Sequence, residues 1–173
     1  MRRLNSLLWA AALGLTMTSV GAQTSAASAP AAKPARIVDI DDADPLMKQA
    51  FIRARASLNG FLKTAESGNP AITNAALRVV IREGDVQEYL WILPFKRTGN
   101  NFSGTVNAVP RFLKKVTVAQ TVTFTRADIA DWMYVDTSKK VMYGNFTTCA
   151  MALKESPGDI PELKKRFGLD CRR

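Results

Sequence analysis

Residues 75–106 read AALRVVIREGDVQEYLWILPFKRTGNNFSGTV, and the period of this stretch decides the fold. Leu77, Val79 and Ile81 alternate with Arg78 and Arg82, the two-residue period of a half-buried strand. Glu83-Gly84-Asp85 is a hairpin turn. The returning strand, Val86 to Phe95, puts Tyr89, Trp91, Leu93 and Phe95 on one face and Leu90 and Ile92 on the other, so it is expected to be central. Pro94 fits only near its end. Thr98-Gly99-Asn100-Asn101 turns the chain again, and Phe102, Gly104 and Val106 mark the third strand of a meander.

Upstream the period is helical. Asp44 is an N-cap residue with Pro45 at the first helical position. Met47, Ala50, Phe51, Ala54, Leu58, Phe61, Leu62 and Ala65 then form one apolar face, which Gly68 and Pro70 terminate. Downstream, Val109–Val116 is a proline-containing basic loop and Gln120–Phe124 a short Thr/Val strand. Thr125 and Asp128 make a T-x-x-D box, expected to cap a single helical turn over Arg126–Asp131. Trp132–Val135 reads as a strand and Val141–Tyr143 as its partner across the turn Asp136–Lys140. Cys149–Leu153 fits a strand or a helix. Asp159 and Glu162 make a second capping box before the helical pair Leu163 and Phe167, with Gly168 at the C-cap. The sum is an α+β domain: one long N-terminal helix on a mainly antiparallel sheet of about five to six strands, then a short C-terminal helix.

The first residues read as an address. Arg2 and Arg3, the apolar run Leu7–Val20 and Val20-Gly21-Ala22 make a signal peptide over residues 1–22, with cleavage expected after Ala22 and export to the periplasm. No transmembrane segment is expected after cleavage. Residues 23–43, rich in Ala, Ser and Pro, read as a flexible linker, and 44–173 as a single domain. Cys149 and Cys171 are the only cysteines, and in an oxidising compartment a lone pair is expected to form a disulfide, here stapling the last helix.

The 173-residue chain carries 24 Lys+Arg against 15 Asp+Glu, a net +9, and no histidine. Without histidine, Ser-His-Asp and Cys-His catalysis and His-ligated metals are excluded. No P-loop, G-x-G-x-x-G, EF-hand or G-x-S-x-G motif is present, so neither a cofactor nor a metal is expected.

One segment is distinctive: Asp131-Trp132-Met133-Tyr134-Val135-Asp136, preceded by Thr125-Arg126-Ala127-Asp128-Ile129-Ala130 and followed by Tyr143-Gly144-Asn145-Phe146-Thr147. With the Tyr89–Leu93 strand and Asn101-Phe102-Ser103-Gly104-Thr105, it resembles the YegJ-like family of bacterial proteins, the domain of unknown function 2314, from about Asp44 to Cys171. The match departs at Asn145-Phe146, where relatives commonly carry a small residue and Tyr. The resemblance implies an α+β domain of bacterial origin and no particular activity.

Two chemistries remain open on the residues themselves. Asp128, Asp131 and Asp136 flank an aromatic cluster, as the acid and the base or nucleophile of a hydrolase of a cell-envelope polymer would. Against that, all three sit where Asp is favoured for caps and turns. We read Asp128, Asp131, Trp132 and Trp91 as structural, and no residue as catalytic. Tyr134, Tyr143, Arg111, Lys114 and Lys115 are the candidate binding residues. The expectation is an exported binding or accessory domain whose partner is an acidic periplasmic protein or an anionic envelope polymer, not nucleic acid.

Overall fold

Asp44 starts the first helix, α1 (Pro45–Ala65): its Oδ1 accepts the backbone N–H groups of Leu46 at 2.9 Å and Met47 at 3.2 Å. The other oxygen, Oδ2, accepts from Lys154 Nζ at 2.6 Å. Such a cap is worth about 1 kcal/mol, whereas each buried Leu or Phe of the apolar stripe contributes roughly 1.5–3 kcal/mol. Packing therefore dominates. The computed structural model describes residues 37–38 and 41–172. The leader expected over residues 1–22 and most of the expected linker lie outside them.

Six strands form an antiparallel sheet in the order β5-β4-β3-β2-β6-β7. They are β2 (Ile72–Glu83), β3 (Val86–Thr98), β4 (Asn101–Val106), β5 (Thr121–Thr125), β6 (Ile129–Asp136) and β7 (Val141–Gly144). A two-residue strand, β1 (Ile37–Val38), lies parallel to β3 at Val86–Gln87, inside the segment read as linker. β2 begins three residues before Ala75. A register shift between Thr73 and Ala76, with Asn74 at φ 52°, breaks the two-residue period there and conceals the strand's start.

The apolar stripe of α1 divides between two clusters. Ala54, Leu58, Phe61 and Leu62 pack with Leu77, Val79, Leu90 and Ile92. Met47, Ala50 and Phe51 pack with Val80, Tyr89 and Ala130. Val79 and Val80 are sequence neighbours and point to opposite faces, so one helix serves both faces of the sheet. It can do so because β7 pairs only with Met133–Asp136, so the first half of β6 has β2 on one side and no described strand on the other. There Trp132 Nε1 donates to the Ala54 carbonyl of α1 at 3.0 Å.

The helical turn expected over Arg126–Asp131 is shorter: a 3-10 turn covers Arg126–Asp128, and Ile129 is already extended at φ −77°, ψ 117°. The Cys149–Leu153 run lies within a helix, α2 (Phe146–Glu155). After a 3-10 turn at Pro157–Asp159 comes α3 (Ile160–Phe167). The expected second capping box does not form. Asp159 is itself helical at φ −83°, ψ −12°, and its side chain caps nothing, because the 3-10 turn runs straight into α3. The Cys149–Cys171 disulfide ties α2 to the segment after α3, with Cα atoms 5.2 Å apart. No described helix is long and apolar enough to cross a membrane.

Candidate functional site

The three aspartates of the hydrolase reading have three separate occupations. Asp128 sits at the end of the 3-10 turn, where its Oδ2 accepts the Thr125 N–H at 3.0 Å and the Thr125 hydroxyl at 2.7 Å. Its Oδ1 accepts from Arg82 at 3.2 Å. Burial works to raise this carboxyl, but the Thr125 donors and Arg82 outweigh it and hold it below the ordinary aspartate value. Asp136, where β6 ends, accepts from the Ser138 N–H, the Ser138 hydroxyl and the Lys139 N–H and ammonium at 2.6–3.3 Å. Lys139 first, then Ser138, pull it down to about 2.

Asp131 differs from both, because it is wholly buried. It does not hold the turn that precedes it. Its Oδ1 accepts the Trp132 N–H at 2.8 Å, and its Oδ2 accepts the Thr147 N–H at 2.7 Å and the Thr147 hydroxyl at 2.6 Å. That hydroxyl in turn accepts from the Arg78 guanidinium at 3.0 Å. Burial raises the Asp131 carboxyl to about 6, against the pull of Thr147, Trp132 and Arg78.

Two carboxylates of a glycan hydrolase stand roughly 5–9.5 Å apart across an open cleft. Asp128 and Asp136 stand at opposite ends of β6, about 25 Å apart at the rise of a strand. Asp128 lines a cleft of about 510 Å³ with Thr98, Asn101 and Thr123, and neither of the other aspartates reaches it.

The aromatic residues form a continuous pile. Phe61 stacks on Trp132 at 5.0 Å, Trp132 on Tyr134 at 6.0 Å, and Tyr134 on Tyr143 at 4.9 Å. Trp132 is 7% exposed, whereas Tyr134 and Tyr143 are half-buried at the end of the pile. Burial raises the Tyr134 phenol, with Tyr143 adding to the shift, and Thr64 hydrogen-bonds it. Trp91 is not part of either apolar cluster. It is half-buried, with the Arg78 guanidinium 5.6 Å from its ring centre.

The basic loop between β4 and β5 is held by two glutamates whose part no local pattern announces. Glu88 of β3, 2% exposed, accepts the backbone N–H groups of Arg111 at 2.8 Å, Phe112 at 3.0 Å and Leu113 at 3.3 Å. Glu83 of β2 accepts those of Lys114 and Lys115, both at 3.0 Å. Leu113 anchors the loop in the core. Arg111, Lys114 and Lys115 are exposed, and they make no ion pair among the described residues. The only sequence signal was Gln87-Glu88, two polar residues inside a strand that otherwise reads as buried.

The candidate binding residues thus fall into two groups. Tyr134 and Tyr143 lie by the start of β2, where Thr73 pairs with Val135, and the basic loop is fastened at its far end by Glu83. Among the described residues, no group of three or more His, Cys, Asp or Glu could hold a metal ion.

Residues 44–171 match the model of a family described as an uncharacterized protein conserved in bacteria, DUF2314. The chain belongs to the DUF2314 family. No curated protein and no solved structure matches it. The matched span of the DUF2314 domain runs from the α1 cap, Asp44, to the disulfide at Cys171, and so takes in both glutamates, the basic loop and the aromatic pile.

Proposed function

We propose that this DUF2314 domain is an exported, non-catalytic binding domain that presents Arg111, Lys114 and Lys115 to an anionic partner, an acidic protein or an envelope polymer. The observation that supports this is the fastening of five consecutive backbone N–H groups, Arg111 to Lys115, by Glu88 and Glu83. A loop fixed this way presents its cations without losing much conformational freedom on binding, which lowers the cost of recognition. The two glutamates face the backbone, so their acidity is spent inside the loop. Tyr134 and Tyr143 offer a separate contact surface. Export to the periplasm rests on the leader pattern of residues 1–22 and on the Cys149–Cys171 bond, which persists in oxidising compartments. A hydrolase would need two carboxylates facing one cleft, and Asp128, Asp131 and Asp136 are each bound to backbone N–H groups instead.

The test is retention on immobilised polyglutamate at rising salt. The wild type should bind at low ionic strength and elute as salt screens the contact. Joint replacement of Arg111, Lys114 and Lys115 by Ala should abolish retention and leave the melting temperature unchanged. Equal retention of that variant and the wild type would overturn the assignment to the loop.

A further inference from the structure

The two edges of the sheet are treated differently. At β7, the Met142 N–H donates to the Gly168 carbonyl at 3.1 Å, and Met142 bridges in parallel to Leu169, so the C-terminal segment covers that edge. At β5, no described strand pairs with the outer side. Natural edge strands are usually blunted by lysine, proline or a bulge. β4 and β5 contain no charged residue and no proline, and their register from Asn101–Thr125 to Thr105–Thr121 runs without a shift.

The outward hydrogen-bonding groups of β5 can be assigned. The Val106 N–H donates to the Gln120 carbonyl at 2.9 Å, and the Arg126 N–H donates to the Asn100 carbonyl at 3.1 Å. Antiparallel alternation between these two bonds turns Val122 and Phe124 toward β4, and it turns the backbone groups of Thr121, Thr123 and Thr125 outward. The Thr125 N–H is already held by Asp128. Thr121 and Thr123 are left with donors and acceptors facing away from the sheet.

We propose that β5 pairs antiparallel with β5 of a second copy of this chain, centred on Val122. In that register Thr121 of one protomer exchanges two backbone hydrogen bonds with Thr123 of its partner, and Thr123 does the same with the partner's Thr121. Val122 meets Val122 on the axis. The register centred on Thr123 would instead need the Thr125 N–H, which Asp128 occupies, so Asp128 selects between them. Of the surfaces two copies could share, this edge adds no charge repulsion, and its outward groups at Thr121 and Thr123 are self-complementary. Two chains of net +9 repel wherever their bases meet, and β4 and β5 bring none. Arg126, the next base along the chain, is turned to Asn59 at 2.8 Å.

Sedimentation equilibrium of the whole chain as cells produce it, across a wide dilution series, should show a concentration-dependent dimer. Hydrogen exchange at Thr121 and Thr123 should slow as the dimer forms. Thr123→Pro removes an N–H that β4 does not use, and Val122→Lys sets two ammonium groups across the axis. Each should weaken dimerisation at least about tenfold while circular dichroism stays native. A chain that stays monomeric throughout, or a dimer indifferent to both variants, overturns the proposal. Protection of Thr121 and Thr123 only by an added extended peptide would assign the edge to another partner and overturn it too.

Discussion

Asp131 caps a helix that begins well after it in sequence: its Oδ2 takes both the N–H and the hydroxyl of Thr147, in the first turn of α2. The local residue at that helix start, Asn145, is left-handed at φ 57° and makes no side-chain cap. β6 therefore supplies what α2 lacks. Asp131→Ala removes the acceptor from buried donors and the counter-charge from Arg78, and it should cost about 3–5 kcal/mol. The pH dependence has a definite sign. Asp131 lies at about 6 in the fold against 3.8 unfolded, so its contribution to stability is fully present below 3.8 and is lost as pH rises through about 6. Relative to Asp131→Asn, the wild type should gain stability as pH falls across that window. The aspartates at 128 and 136 act in the opposite sense, and the comparison cancels them. Urea titrations of both proteins at several pH values check this; parallel profiles would mean that Asp131 does not titrate there.

Glu88 is predicted to be the fastening of the basic loop. Glu88→Ala leaves the N–H groups of Arg111, Phe112 and Leu113 without their acceptor, at a cost of about 1–3 kcal/mol. Amide exchange at these three residues should accelerate, while the N–H groups of Lys114 and Lys115 stay with Glu83. Glu83 answers to pH. The Lys115 N–H first, burial opposing and Lys114 assisting, holds its carboxyl below 4.5, so its grip is complete above that value and is lost as acid protonates it. Exchange at Lys114 and Lys115 should therefore quicken as acid protonates Glu83. Unchanged exchange in the Glu88 variant would mean that Leu113 alone holds the loop.

The fold was legible where interactions are local. The α1 stripe, the Asp44-Pro45 start and the hairpin at Gly84 follow from residues a few positions apart. The capping pair Thr125 and Asp128 is equally local. What stayed hidden was long-range. Glu88 meets residues 23 to 25 positions away, and Asp131 meets Thr147 across 16. Each looks like an ordinary polar residue until the strands are paired. α2 was ambiguous for the same reason: its cap comes from another strand, and Thr147-Thr148 carries β-branched side chains that suit a strand as well as a helix. The disulfide could be read from the cysteine count, but its consequence for the β7 edge could not.

That consequence gives the third prediction. Cys171 holds the segment that places Leu169, 3% exposed, beside Met142, whereas α3 buries no residue of its own. Cys171→Ser should lower stability by about 2–4 kcal/mol. The first amide to lose protection should be Met142, whose bond goes to the Gly168 carbonyl. Gly168 cannot be replaced to compensate, because a Cβ there would stand 2.3 Å from the Lys140 carbonyl oxygen. Protection at Met142 that survives the loss of the disulfide would show that Leu169 burial alone suffices.

The last prediction concerns what holds Trp132. Gly144 of β7 lies against it at φ 76°, and a Cβ there would come within 2.1 Å of the Trp132 carbonyl oxygen and 2.5 Å of its Cε3 atom. The oxygen is backbone and cannot rotate away, so Gly144→Ala must push β7 from β6 or displace the indole. Displacing the indole also loosens its Nε1 bond to Ala54, which carries the damage into α1. Gly84→Ala separates the causes. It has a similar φ of 58° with nothing within 4 Å of the added Cβ, so it bears only the left-handed strain, about 1–2 kcal/mol. Gly144→Ala should cost clearly more and approach Trp132→Ala, for which about 3–5 kcal/mol is expected. In a domain whose total stability is roughly 5–15 kcal/mol, either change removes a large share. Thermal melts of the three variants, with tryptophan fluorescence reporting the indole, decide it. Equal small losses at Gly84 and Gly144 would mean that β7 yields easily, and that Phe61 and Ala54 hold Trp132 without it.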